Sequence, residues 1–75
     1  IAANRFLLAE LTAREILELD PKNYTANLRL GYALRMQERH ADAEKVIAGM
    51  LALYPSDVSL LLEEALAIDA QGRWQ

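Results

Sequence analysis

Apolar positions along this chain recur at helical spacing. Leu28, Leu30, Ala33 and Leu34 fall near a helical period with Gly31 among them, and Ala43, Val46, Ile47, Met50, Leu51 and Leu53 do the same further on. No run alternates apolar and polar residues as a half-buried strand would. The apolar sets are wider than one narrow stripe, which suits helices packed on two sides. Asp20-Pro21 and Tyr54-Pro55 interrupt the pattern, because proline disfavours helical backbone in the residue before it. Asn23 and Asp57 then offer side-chain oxygens to cap the next helix. The pattern predicts a helix tail at 1–3, helices over 6–19, 24–37, 41–53 and 58–70, and a further helix beginning at Arg73. Weaker breaks are expected at Asn4-Arg5, Glu38-Arg39 and Gly72-Arg73. Asn and Gly tolerate the left-handed backbone that ends a helix; Glu38 does so poorly, so a less regular turn is expected there. Short linkers make consecutive helices antiparallel neighbours.

The pattern also repeats with a period of 34 residues. Shifted by 34, Arg5 falls on Arg39 and Arg39 on Arg73, Ala9 on Ala43, Glu10 on Glu44, Leu17 on Leu51 and Leu19 on Leu53. Pro21 falls on Pro55, Leu28 on Leu62, Ala33 on Ala67 and Gln37 on Gln71. A fixed period of this size marks stacked supersecondary units.

These residues resemble the tetratricopeptide repeat family, whose unit is a 34-residue helix–turn–helix. The likeness rests on Leu30-Gly31, Ala43 and Pro55 of the central unit, and on the phrase Ala9-Glu10 through Leu17-Glu18-Leu19-Asp20-Pro21. Ala65 takes the place of Gly31, Gly72 is the turn glycine, and Phe6, His40 and Trp74 share one aromatic place. The resemblance implies an all-α fold of antiparallel helical hairpins stacked as an α-solenoid. It divides the chain into the second half of one unit (1–22), a full unit (23–56) and the first half of another (57–75). Small residues at 31 and 65 let a neighbouring helix approach closely, with Ala43 the expected neighbour of Gly31.

Composition leaves room for a core and narrows the partners. The chain has 75 residues, 53% of them apolar, and a net charge of −3. Nothing suggests nucleic-acid binding, and no apolar stretch is long enough to cross a membrane. Cysteine is absent, so disulfides and thiolate chemistry are excluded. The chain begins at Ile1 and stops two residues after a motif that elsewhere opens a helix, which reads as a piece of a longer protein.

No enzyme is expected. His40 is the only histidine, so with no cysteine a typical zinc site has too few ligands. Glu38, Asp42 and Glu44 around it read as acids near a helix N-terminus. The glycines are too scattered for a phosphate loop, and Ser56 and Ser59 have no nearby histidine. No cofactor is implied. Glu10, Arg14 and Glu18 stand at four-residue steps and read as solvated ion pairs.

In the resembled family the first helix of each unit lines a concave groove for a peptide or partner helix. Carried over, the second unit offers Thr25, Leu28, Arg29, Tyr32, Arg35 and Met36, and the third Ser59, Leu62, Glu63, Leu66, Asp69 and Ala70. Each set recurs at three- and four-residue steps on one helix face. The lining combines an apolar floor with charged edges, and an amphipathic helix of a protein or peptide partner fits it best. Lys and Asn, with which a chaperone-tail subgroup grips a carboxylate, are replaced here by Leu28, Tyr32, Leu62 and Leu66. By alignment, Arg29 would pair with Glu63 and Arg35 with Asp69, spending those charges within the chain. The other reading is structural: the segment spaces or oligomerises other domains without a ligand. Leu7, Leu8, Leu11 and Leu17 at one end, and Leu60, Leu61 and Ile68 at the other, are expected to be partly uncovered, which favours self-association.

Overall fold

A computed structural model describes the backbone of residues 2–72 and the side-chain surroundings of residues 5–72. The described residues form four helices: α1 (Ala2–Leu19), α2 (Tyr24–Met36), α3 (His40–Leu51) and α4 (Val58–Gly72). Each packs on the next in sequence, and α2 also touches α4. The whole is a slab of 37 × 34 × 15 Å. The fold is therefore all-α.

The helix boundaries follow local chemistry. Asn23 has extended backbone (φ −60°, ψ 117°), and its side chain accepts the Ala26 N–H at 2.8 Å. Asp57 does the same one period later, accepting the Leu60 N–H at 2.9 Å. Both caps were expected. Helix α2 ends differently from the expectation: Glu38 takes the left-handed conformation, with φ 63°. The Arg39 N–H donates to the Leu34 carbonyl and the Glu38 N–H to the Arg35 carbonyl, both at 2.9 Å. This pairing is the Schellman motif, so the turn is regular and Glu38 stands where glycine is preferred. Helix α3 stops at Leu51, two residues short of the expected end, where the Leu53 N–H bonds the Met50 carbonyl three residues back and the α ladder gives way to a tighter turn.

No break occurs at Asn4-Arg5; α1 runs through it. Asn in a helix interior costs only about 0.7 kcal/mol at most, and no proline enforces a stop. The helix expected from Arg73, and the aromatic place of Trp74, lie outside the described residues.

The core has two parts. Ala13 of α1, Ala26, Leu30 and Leu34 of α2, Ala43 of α3 and Ala67 of α4 form one cluster. Ile47 and Met50 of α3 with Leu60 of α4 form the other, on which Tyr24, Leu28 and Leu51 pack. Leu60 was expected to be partly uncovered but is fully buried, because it packs on Ile47 and Met50 of α3. Leu17 is half-buried against the first cluster, whereas Leu7, Leu8, Leu11, Leu61 and Ile68 are exposed. The close approach at Gly31 is real but its neighbour is Ile47, not Ala43: a Cβ on Gly31 would lie 2.5 Å from Ile47 Cδ1.

The 34-residue period reappears as a hydrogen-bond pattern. Gln37 Nε2 donates to Glu10 of the preceding helix pair at 3.0 Å and to its own helix at the Ala33 carbonyl at 3.1 Å. Gln71 Nε2 donates to Glu44 at 2.9 Å and to the Ala67 carbonyl at 3.1 Å. The identities Glu10/Glu44, Ala33/Ala67 and Gln37/Gln71 thus mark one clamp used twice.

Candidate functional site

The first clamp is the more elaborate. Glu10 is only 5% exposed. Besides Gln37, it accepts Arg39 Nη1 at 2.9 and 3.0 Å and Arg14 Nε at 2.9 Å. The hydrogen bond from Gln37, and those from Arg14 and Arg39 together with the Arg39 charge, hold its carboxyl below the usual value of 4.5 against the opposing effect of burial. Glu10 is therefore not the solvated helix-face residue its spacing suggests. Glu18, the other expected partner of Arg14, makes no ion pair among the described residues.

A depression lies between two of the helices. Thr25, Leu28, Arg29 and Tyr32 of α2 face Ser59, Leu62 and Glu63 of α4 across a depression of about 430 Å³. All seven belong to the set placed there by sequence. Met36, Leu66 and Asp69 are exposed and Ala70 half-buried, but they lie outside that depression. They sit further along α2 and α4, on turns C-terminal to those that line the depression.

Arg35 also lies outside it, and its role differs from the aligned pairing. It donates Nε and Nη2 to the two oxygens of Glu63 at 2.8 and 3.2 Å, a two-pronged bridge that keeps its charged form favoured. Its guanidinium also sits 5.4 Å from the centre of the Tyr32 ring. The observed pair is thus Arg35–Glu63, not Arg29–Glu63 and Arg35–Asp69. Arg35 meets a residue six positions before Asp69, its repeat equivalent, because helices one unit apart pack with an offset along their axes. Arg29 is left exposed and makes no ion pair among the described residues.

The groove is braced at the start of α2. Tyr24 donates its hydroxyl to Asp57 at 2.8 Å and meets Tyr54 edge-on at 5.7 Å. Asp57 thereby joins the cap of α4 to the first turn of α2. The Leu60 N–H and then the Tyr24 hydroxyl lower its carboxyl below 3.8, and the Asp57 hydrogen bond raises the Tyr24 phenol above 10.0.

A second and larger groove, about 890 Å³, runs between α1 and α2, and no residue set was assigned to it from sequence. Phe6, Ala9 and Ile16 of α1 and Ala26 of α2 contribute its apolar lining; Thr25, Arg29 and Tyr32 are shared with the first. Phe6 meets Tyr32 edge-on at 5.8 Å. The 34-residue shift held the signal for this groove, since its lining aligns with residues that α2 covers one unit later.

His40 opens α3 half-buried, and its Nδ1 is enclosed with no hydrogen-bond partner among the described residues. Among the described residues no group of histidine and carboxylate side chains could hold a metal ion, and no helix is long and apolar enough to cross a membrane. No family model, curated protein or solved structure matches the chain.

Proposed function

We propose that the chain is a non-enzymatic protein-interaction module of tetratricopeptide-like hairpins, stacked as a solenoid, that takes a partner helix or peptide in the α2/α4 groove. The doubled clamp and the doubled cap support the stacking, because each joins residues 34 apart to the same kind of neighbour. The observation that carries the functional reading is the lining itself. Leu28, Tyr32 and Leu62 give an apolar floor beside Arg29, a cation with no ion-pair partner among the described residues. Leu62 is 58% exposed, which leaves a contact surface for a ligand's apolar face. An acidic amphipathic helix matches both features.

The Arg35–Glu63 bridge favours a second reading, in which α2 and α4 are held together for spacing alone. Substituting Leu62→Glu and Tyr32→Glu separates the two. A binding groove predicts loss of captured partners with the size on gel filtration unchanged. Unchanged partners would overturn the groove assignment.

A further inference from the structure

Among the described residues, the α1/α2 groove is the uncovered counterpart of a seat that another helix fills one unit later. Helix α2 lies on α3 and against α4, and the 34-residue shift carries that arrangement onto α1 and α2. Met50, in the cluster on which Tyr24 and Leu28 of α2 pack, is 3% exposed, whereas the equivalent Ile16 stands 42% exposed. Leu60, fully buried, corresponds to Ala26 on the groove wall, and Ala43 corresponds to the exposed Ala9.

The same shift identifies a helix in the chain with an uncovered matching face. Helix α4 is equivalent to α2, and no described helix covers on α4 the face that α2 turns to α3. Leu34, fully buried in α2, becomes Ile68, 47% exposed, and Asn27 becomes the exposed Leu61. We propose that α4 of a second copy docks in the α1/α2 groove, antiparallel to α1, so that copies associate head to tail.

Steric and electrostatic details agree. The Gly31–Ile47 approach becomes Ala65 against Ala13, where Ala13 lacks the atoms that Ile47 places against Gly31. The Arg35–Glu63 bridge becomes Asp69 of the second copy against Arg29, the same pair with signs exchanged. Asp69 already takes part in an interaction of its own, and a carboxylate accepts several donors, as Glu10 does. The helices flanking the junction would be related as α1 is to α3, which have no backbone contact among the described residues. A contact of this kind uses two different surfaces and does not close on itself, so assemblies grow.

The test is sedimentation equilibrium on the protein and on the Ile16→Glu and Ile68→Glu variants, with circular dichroism to check folding. Both positions are exposed, so folding is retained. The protein should show a mass that rises with concentration without a plateau, and each variant should associate at least ~10-fold more weakly, since each buries an unpaired carboxylate in the junction. Mixing the two variants should restore a 1:1 complex, because one keeps the α4 face and the other the groove. Arg29→Glu should weaken association, and Arg29→Glu with Asp69→Arg should recover it. A monomer at the highest attainable concentration, a dimer that survives Ile16→Glu, or a mixture that stays monomeric would each overturn the proposal. Neither Ile16 nor Ile68 lines the α2/α4 groove, so ligand capture there is read independently.

Discussion

Two glycines in neighbouring helices give opposite expectations for the same substitution. A Cβ at Gly31 would stand 2.5 Å from Ile47 Cδ1 and 2.8 Å from Cγ1. Ordinary carbon contacts are about 3.5–4.0 Å, so the deficit approaches 1 Å or more. Ile47 is fully buried among Met50 and Leu60 and branched at Cβ, so it has few ways to yield. Overpacking of this kind costs about 1–3 kcal/mol. Alanine gains about 0.8–1 kcal/mol of helix propensity over glycine, so Gly31→Ala should be neutral to about 2 kcal/mol destabilising. At Gly49 in α3 a Cβ meets nothing within 4 Å, so Gly49→Ala should stabilise by the full propensity term of about 0.8–1 kcal/mol. The propensity gain cancels between the two variants, leaving the packing cost of about 1–3 kcal/mol. In a chain this size each kcal/mol moves Tm by about 4–8 °C, so the melts should separate by at least that much. Ile47→Val removes Cδ1, and in a double-mutant cycle it should recover about 0.5 kcal/mol or more of the Gly31→Ala loss. Equal Tm gains in both single variants, or strict additivity with Ile47→Val, would refute a tight α2/α3 contact.

Three further outcomes follow from single side chains. Glu10→Gln should lose about 1 kcal/mol at neutral pH, the difference between a charged and a neutral hydrogen bond. Its carboxyl is held below 4.5 in the folded chain, so its contribution is complete above that pH and drains as pH falls through the lowered value; melts of the two proteins should converge in acid. Glu38→Gly should raise stability by up to about 1 kcal/mol, since glycine removes the left-handed penalty though it loosens the unfolded chain; a lower denaturant midpoint would contradict the φ of 63°. His40→Phe removes an enclosed nitrogen with no partner among the described residues and restores the aromatic type found at Phe6, so Tm should rise, and a fall would show that the imidazole is hydrogen-bonded in solution.

The sequence made the helices legible because proline and capping residues act within a few positions of where they stand. Asn23 and Asp57 are caps for reasons visible in their own turns. That residues from the early turns of α2 and α4 share one depression was legible because helix geometry fixes which side chains share a face. Long-range pairing was not. Glu10 and Arg14 stand four apart, which describes a surface pair equally well; only the packing of α2 brings Gln37 and Arg39 onto the same carboxylate and buries it. Alignment of Arg35 with Asp69 failed for a related reason, since equivalence by repeat differs from adjacency across helices. Glu38 shows context overriding residue preference: the chain must reverse between α2 and α3, and the packing of those helices holds a poorly suited residue in the left-handed region.

The groove is tested most directly by methyl-labelled NMR during titration with an acidic amphipathic helical peptide selected for binding. The Leu28 and Leu62 methyls should shift together and saturate, while Leu19, the last residue of α1 and 91% exposed, stays in place. Shifts that bypass Leu28 and Leu62, or none from any selected peptide, would contradict it.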